Sequence, residues 1–188
     1  MTVITAIVVL CWAIFALYWL ISSLSQKPVA EKTSFSSRIV QLLFMSFAFN
    51  FVIQSAQLYP LYIMLIPDSL VITIVSIALC VIGLMTCIWA RRTLAGNWSS
   101  LPVIKKDHYL VQDGPYKFVR HPIYTGFLLM FLGTALAIGR LGDFVGFAVC
   151  FVGFWIKLRQ EEALMIKCFK GNYLSYKKRV KALIPLLF

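Results

Sequence analysis

The chain alternates long apolar blocks with short polar segments. A membrane-crossing helix needs about 20 apolar residues, because each residue adds about 1.5 Å and the hydrocarbon core is about 30 Å thick. The first three blocks reach this length, and the last two are shorter. The blocks occupy residues 2–24, 39–66, 70–90, 123–138 and 144–156. This pattern predicts an all-α, polytopic transmembrane helical bundle of about five spans, although the two short blocks could instead form a hairpin that only partly crosses.

Composition supports a lipid environment. The chain is 61% hydrophobic and 13% charged, whereas soluble domains are roughly 45–50% apolar and about 25% charged. Its length suits one domain. We therefore expect a single membrane domain over 1–188, in which 1–90 supplies three spans and 91–188 forms a core with two shorter spans and a basic tail.

The positive charges predict an orientation. Lys and Arg cluster in segments 25–38, 91–120 and 157–188, and only Arg140 lies in a loop of opposite parity. Basic loops stay on the cytoplasmic side, so the N-terminus is expected outside and the C-terminus in the cytoplasm. The net charge of +11 then reflects basic flanks that attract membrane lipids, not nucleic acid.

Neither the five cysteines nor the two histidines show metal-ligand spacing, so no metal site is expected, and the oligomeric state is not predicted.

Segment 91–124 is the first candidate for chemistry. It contains a turn at Asp113-Gly114-Pro115, and Pro122 fits the first turn of the fourth span. His121 then lies at a helix N-terminus near the membrane surface, a location that favours an anionic or polarised ligand. The alternative is that the aromatic and histidine side chains only mark the membrane interface.

Segment 157–176 is the second candidate. If it is helical, Lys157 and Glu161 lie four residues apart on one face, and a break is expected at Gly171-Asn172. Carboxylates directly below a span are costly unless they are satisfied. The alternative is a solvated amphipathic helix with internal salt bridges.

Together these segments carry a family resemblance. The string GPYKFVRHPIYTG, a following Glu-Glu pair and then F-x-x-x-Y-x-x-Y-K-x-R-V resemble the isoprenylcysteine carboxyl methyltransferase family, which merges into the membrane phospholipid methyltransferases. The resemblance covers about residues 89–187. It implies S-adenosyl-L-methionine as cofactor, a lipophilic methyl acceptor from the bilayer, such as a prenylcysteine-type carboxylate or a related lipid, and a cytoplasmic cofactor-binding segment with a C-terminal helix.

The resemblance also implies a set of site residues. It places the transfer step at Arg120, Glu161, Lys157 and Arg159. It implies cofactor contacts from His108, Tyr109, Leu110, Val111, Tyr116, His121, Pro122, Ile123, Tyr124, Glu161 and Glu162.

The chain departs from the family pattern at three places, one of which is a glutamine before H-x-L-V that has no clear counterpart here. Lys157 replaces an arginine that is frequent in the family, and Phe169-Lys170 stands where the family has Phe-Gly. These departures leave the prenylcysteine substrate open. Two alternative functions stay open as well: an NADPH-dependent membrane reductase of the sterol type, against which the chain lacks a G-x-G-x-x-G motif, and a non-catalytic lipid-binding membrane protein.

Overall fold

The computed structural model describes residues 3–23, 57–95 and 110–185. The described residues form α-helices and a short 3₁₀ helix over Gly114–Lys117. We number the described α-helices in chain order: α1 Val3–Ser23, α2 Leu70–Leu94, α3 Pro122–Ile138 and α4 Leu141–Arg179. Of these, α1, α2 and α4 are long and apolar enough to cross a membrane, and α3 is a shorter apolar helix. The predicted all-α transmembrane bundle is confirmed.

The described helices share two ends. In α2 and α3, Gly83 lies against Gly126 and Ser76 lies against Gly133, so these helices are antiparallel. Arg91 near the end of α2 donates from Nη2 to the carbonyl oxygen of Ser22 near the end of α1, at 2.6 Å, so α1 and α2 are parallel. We call the end at which α3 begins the His121 end, and the opposite end, at which α4 begins, the Arg140 end.

Small residues bring α2 and α3 into backbone contact. A Cβ atom added at Gly126 would lie 2.6 Å from the Gly83 carbonyl oxygen and 2.7 Å from the Cys87 sulfur. Further along the contact, the Sγ of Cys80 donates to the Met130 carbonyl oxygen at 3.5 Å. Close approach of this kind is the main source of helix association in lipid, where burying apolar side chains contributes little. The α2–α3 pair is therefore the rigid centre of the described bundle.

Aromatic side chains attach α1 to α3. The indole Nε1 of Trp12 donates to the Thr134 hydroxyl oxygen at 3.0 Å, and its ring meets Phe127 and Phe131 edge-on with centroids 5.1 and 6.2 Å away. Edge-to-face pairs of this geometry contribute about 0.5–1.5 kcal/mol beyond the burial of their area. Polar and aromatic contacts thus fix the position of α1.

At the Arg140 end, the structure differs from the second span that the sequence predicts. Residues 57–66 are apolar but not helical, so the helix expected over 39–66 does not extend to its predicted end; residues 39–56 lie outside the described part. Pro60 lacks an N–H donor and disfavours helix before it. The segment instead pairs with the α3–α4 corner: Leu65 donates to Gly139 at 2.8 Å, and Leu141 donates to Ile63 at 2.9 Å. These bonds satisfy a backbone that lipid cannot solvate.

Helix α4 folds back on itself. Lys170 has φ 45° and ψ −122°, which interrupts the helix. In a straight helix, the 15 residues between Glu162 and Lys177 would separate them by about 22 Å, but the Lys177 Nζ lies 2.6 Å from the Glu162 Oε2. The part of α4 after the break, residues 171–179, therefore runs back toward α3, and we call it the returning helix. The predicted break at Gly171-Asn172 occurs one residue earlier, at Lys170.

The residues after the returning helix bind the start of α3. The backbone N–H groups of Arg120 and His121 donate to the carbonyl oxygens of Lys181 and Ala182 at 2.8 and 3.0 Å. The Thr125 hydroxyl donates to the Leu183 carbonyl oxygen at 2.7 Å. We call residues 180–185 the C-terminal strap. It satisfies backbone donors at a helix N-terminus that would otherwise need water or a ligand.

We predict that Gly126→Ala lowers the thermal unfolding temperature in detergent, since overpacking a tight contact costs about 1–3 kcal/mol. Gly171→Ala is the matched control, because a Cβ there meets no atom within 4 Å and alanine favours helix over glycine. Its unfolding temperature should be unchanged or slightly raised. Equal unfolding temperatures for the two variants would contradict the close α2–α3 contact.

Candidate active site

The polar cluster at the His121 end lies at the expected depth of a membrane surface. Glu161 follows the start of α4 at Leu141 by about 20 residues, which corresponds to about 30 Å of helix and matches the hydrocarbon thickness. His121 is the N-cap of α3, so it occupies the same level from the neighbouring helix. The two segments singled out in the sequence, one on each side of the α3–α4 corner, thus meet at one place.

His121 lies between the paired carboxylates. Its Nδ1 is 3.6 Å from the Glu161 Oε2, and its Nε2 is 3.6 Å from the Glu162 Oε1. Burial of the imidazole opposes its protonation, but the two carboxylates outweigh burial, and the pKa of His121 is raised above its usual value. The raised pKa favours the imidazolium form, which offsets part of the negative charge of the two carboxylates.

Glu162 is committed to a buried ion cluster. Its side chain is 3% exposed, and its Oε1 accepts from the Nε and Nη2 of Arg120 at 2.8 and 2.5 Å. Its Oε2 accepts from the Lys177 Nζ at 2.6 Å. Arg120 also donates from Nη1 to the carbonyl oxygens of Lys177 and Val180. Both oxygens of Glu162 are thus engaged by cations, and every nitrogen of Arg120 is engaged by the scaffold.

Glu161 is more accessible than its neighbour. Its side chain is 21% exposed, and its Oε1 accepts from the Tyr124 hydroxyl at 2.5 Å. The Oε2 has a longer contact, the 3.6 Å approach of His121. Adjacent residues of a helix project about 100° apart, which explains why one carboxylate lies in the scaffold and the other faces the space beside it.

The Tyr124 ring organises this accessible side. The His121 imidazole stacks on it, with centroids 5.5 Å apart and planes 3° from parallel, and the Lys157 Nζ lies 5.5 Å from its centroid. Lys157 and Glu161 therefore both contact the Tyr124 side chain, in agreement with their expected common helix face. Cation–π contacts of this length contribute about 0.5–2 kcal/mol, more when desolvated.

The 3₁₀ helix forms the next wall. Pro115 and Tyr116 are buried there, and the Tyr116 carbonyl oxygen accepts from the buried Tyr176 hydroxyl at 2.6 Å. Gly114 has φ 58°, and a Cβ there would lie 2.8 Å from the Thr93 hydroxyl oxygen, so the turn before this helix requires glycine. The turn places Tyr116 beside the start of α3.

Several of the predicted site residues come together, and others do not. Tyr116, Arg120, His121, Tyr124, Lys157, Glu161 and Glu162 share the cluster, and Pro122 and Ile123 form the first turn of α3. Arg159 lies away from the cluster, and its guanidinium is 4.7 Å from the Trp155 ring centroid. Residues two apart in a helix project from nearly opposite sides of it, so Arg159 and Glu161 face different directions. Leu110 and Val111 are half-buried before the turn, and His108 and Tyr109 lie outside the described residues.

Three residues of the returning helix contact this site but are not among the predicted site residues. Tyr173, Tyr176 and Lys177 occupy one helix face by their i, i+3 and i+4 spacing, and the first two are buried. The spacing was visible in the Y-x-x-Y-K motif, but the motif gave no sign that its helix folds back onto Glu162. A buried ionic cluster of this kind needs every partner, because each unpaired charge is costly.

The arrangement suits a cationic ligand with hydrogen-bond donors. An accessible carboxylate next to a phenol and an imidazole accepts hydroxyl or ammonium groups strongly, since charged acceptors form the stronger bonds. In addition, the His121 Nε2 is buried and makes no hydrogen bond within the described residues. No group of three or more metal-ligating side chains occurs in the part of the chain that the structure describes.

Comparison with known proteins agrees with this geometry. Residues 71–172 match the phospholipid methyltransferase family, which is more than half of the chain. The matched region begins in α2 and includes the 3₁₀ helix, α3 and most of α4. It contains both carboxylates, His121 and Tyr124.

Individual relatives match shorter stretches. The chain is 39% identical over 83 residues to the protein-S-isoprenylcysteine O-methyltransferase of Schizosaccharomyces pombe, which covers 44% of this chain and 35% of that protein. It is 40% identical over 70 residues to methanethiol S-methyltransferase 1 of Bradyrhizobium diazoefficiens, which covers 37% of this chain and 24% of that protein. The chain therefore spans about a third or less of the length of these curated relatives.

A solved structure shares the fold. The eukaryotic intramembrane Ras methyltransferase, an isoprenylcysteine carboxyl methyltransferase, superposes with a TM-score of 0.59 at 20% identity, over 82% of this chain and 55% of that chain. At this identity the likeness concerns the arrangement of helices.

Proposed function

This chain belongs to the phospholipid methyltransferase family, and from that premise we propose that it transfers a methyl group from S-adenosyl-L-methionine to a lipophilic acceptor at the cytoplasmic membrane boundary. The observation that carries the proposal is the His121–Tyr124–Glu161 cluster, which lies inside the family-matched region at the end of two helices. A polar cofactor from water and an acceptor from lipid can both reach such a boundary.

The residues present fit this cofactor. S-adenosyl-L-methionine supplies a methyl group activated by a sulfonium, and it carries an ammonium group and ribose hydroxyls. Glu161 is accessible and has an oxygen with only a 3.6 Å contact, which suits hydroxyl or ammonium donors. The His121 imidazole, which lies between the two carboxylates, adjoins this oxygen and is proposed to line the cofactor pocket. We propose that Tyr116, Pro122, Ile123 and Glu162 line or support this pocket, and that His108, Tyr109, Leu110 and Val111 contribute the cofactor contacts that the family resemblance implies.

In this proposal the protein contributes alignment and exclusion of water. Methyl transfer is an in-line displacement, and holding the reactants in order can supply about 7–11 kcal/mol of the barrier. Tyr124 and His121 fix Glu161, and Glu161 in turn orients the cofactor. The apolar faces of α3 and α4 keep water from the acceptor side.

Lys157 is proposed to act on the acceptor. Its ammonium lies next to the Tyr124 ring, on the lipid side of Glu161 along α4, where it could pair with an acceptor carboxylate. A carboxylate acceptor reacts as the anion and needs no strong general base. Arg120 and Arg159 were expected to share this step; the contacts of Arg120 with Glu162 and the strap, and the position of Arg159 against Trp155, lead us to assign the acceptor role to Lys157.

A thiol is a second candidate acceptor. The similarity to methanethiol S-methyltransferase 1 favours it, and a thiolate also attacks without a strong base. Assays with a farnesylated cysteine derivative and with a small thiol therefore decide between the two acceptor classes.

We predict that Glu161→Gln weakens S-adenosyl-L-methionine binding about tenfold to a hundredfold, because a charge-assisted hydrogen bond contributes about 1.5–3 kcal/mol. Lys157→Met should leave cofactor affinity nearly unchanged and raise the acceptor KM. Calorimetric titration and steady-state methyl-transfer kinetics measure the two effects.

Asp68→Asn is the control for this pair, because Asp68 is an exposed carboxylate at the Arg140 end. It should match the unaltered protein in both measurements. If Glu161→Gln and Lys157→Met lower thermal stability alike and leave cofactor affinity unaltered, the pair is structural and the assigned pocket is wrong.

The His121 end is proposed to face the cytoplasm. Arg91 and Arg92 are in the last turn of α2, and Lys177, Lys178 and Arg179 are in the last turn of α4, all at this end. Positive charges near the ends of spans remain on the cytoplasmic side.

Cysteine labelling tests this orientation. In a Cys168→Ser background, whose four other cysteines are buried, an impermeant maleimide should label Asp68→Cys in intact cells. Asp113→Cys, at an exposed position of the His121 end, should react only after permeabilisation. The reverse labelling pattern would contradict the proposed orientation.

A further inference from the structure

We propose that Tyr173, Tyr176 and Lys177 on the returning helix are positioning residues for the cofactor site, and that they act by locking Glu162 so that Glu161 faces the cofactor. The inference rests on the proposed function and adds to it a role for the Y-x-x-Y-K motif. It concerns residues that neither bind the acceptor nor touch the reacting atoms.

The returning helix contacts both Glu162 and its partner Arg120. The Lys177 Nζ donates to the Glu162 Oε2 at 2.6 Å, while Arg120 occupies Oε1. The Lys177 backbone carbonyl oxygen also accepts from the Arg120 Nη1 at 3.3 Å. Lys177 therefore contacts both members of the buried ion pair, one through its side chain and the other through its backbone.

The returning helix also supports the 3₁₀ helix. The Tyr176 hydroxyl donates to the Tyr116 carbonyl oxygen at 2.6 Å, and both side chains are buried. Tyr173 is buried beside Tyr176, with ring centroids 6.0 Å apart. One face of the returning helix thus contacts two walls of the candidate pocket, while Leu174, Ser175 and Lys178 on its other faces are exposed.

The rotation of α4 about its axis links the two glutamates. Because Glu161 and Glu162 project about 100° apart on one helix, the rotation that places Glu162 between Arg120 and Lys177 also aims Glu161 at Tyr124 and His121. A change at Lys177 loosens Glu162 first and Glu161 second. The expected consequence is a loss of cofactor affinity from a residue outside the pocket, with the acceptor side unaffected.

The test compares Lys177→Met, Lys177→Arg and Tyr176→Phe with Lys178→Met, whose side chain is exposed on the neighbouring position. Purified full-length protein is titrated with S-adenosyl-L-methionine, and the acceptor KM and thermal unfolding temperature are measured in parallel. We expect Lys177→Met to weaken cofactor binding about fivefold to tenfold, less than the loss of a direct hydrogen bond between a charged group and the cofactor, because Lys177 acts through Glu162. Lys177→Arg should restore most of the affinity, and Lys178→Met should match the unaltered protein.

The coupling between substitutions at Lys177 and Glu162 distinguishes a positioning role from a purely structural one. Lys177→Met added to Glu162→Gln should cost little further affinity, because both act through the same contact. Tyr176→Phe removes only a hydroxyl, so it keeps the test available if Lys177→Met does not fold, and it should weaken cofactor binding about threefold to tenfold with acceptor KM unchanged.

The outcomes separate this inference from the proposed function. If the unaltered protein binds the cofactor, but Lys177→Met and Tyr176→Phe lower the unfolding temperature without changing cofactor affinity, the positioning role is wrong and the proposed function stands. A change in acceptor KM with constant cofactor affinity also overturns the inference. If the unaltered protein does not bind S-adenosyl-L-methionine, the proposed function fails, and this inference fails with it.

Discussion

The neutralisation of one buried carboxylate organises the described structure. Glu162 is at the membrane boundary with 3% of its side chain exposed, where an unpaired charge would cost several kcal/mol. Arg120 at the start of α3 and Lys177 on the returning helix satisfy it. Because Glu162 and its two partners belong to three separate stretches of chain, their pairing brings the start of α3, the body of α4 and the returning helix together.

The same pairing explains why the two adjacent glutamates differ in exposure. Glu162 is held by cations on the scaffold side, and the same helix rotation turns Glu161 toward Tyr124 and His121. A carboxylate that is oriented by a phenol and an imidazole, yet remains accessible, is a suitable binding group for a cationic cofactor. The α2–α3 contact through Gly83 and Gly126 provides the rigid base on which His121 is carried.

Much of this arrangement was predictable from the sequence, because hydropathy and short motifs are local. The apolar blocks predicted α1, α2 and the α3–α4 pair, and the family resemblance implied that the paired glutamates and His121 share one pocket. The return of α4 was not predictable, since it depends on contacts between residues far apart in the chain. The break itself was expected at Gly171-Asn172, but Lys170 takes the positive φ. The helix expected through residues 57–66 was also wrong, because backbone pairing with the α3–α4 corner replaces it. The division of the chain at residue 90 stays a prediction.

The central claim is that the His121 end binds S-adenosyl-L-methionine. The most direct measurement is a calorimetric titration of the purified, detergent-solubilised protein with S-adenosyl-L-methionine and, separately, with NADPH. The account predicts saturable binding of S-adenosyl-L-methionine with one site per chain and no binding of NADPH. Binding of NADPH without S-adenosyl-L-methionine would indicate a reductase, and binding of neither would indicate a lipid-binding protein that retains the fold; either result would contradict the account.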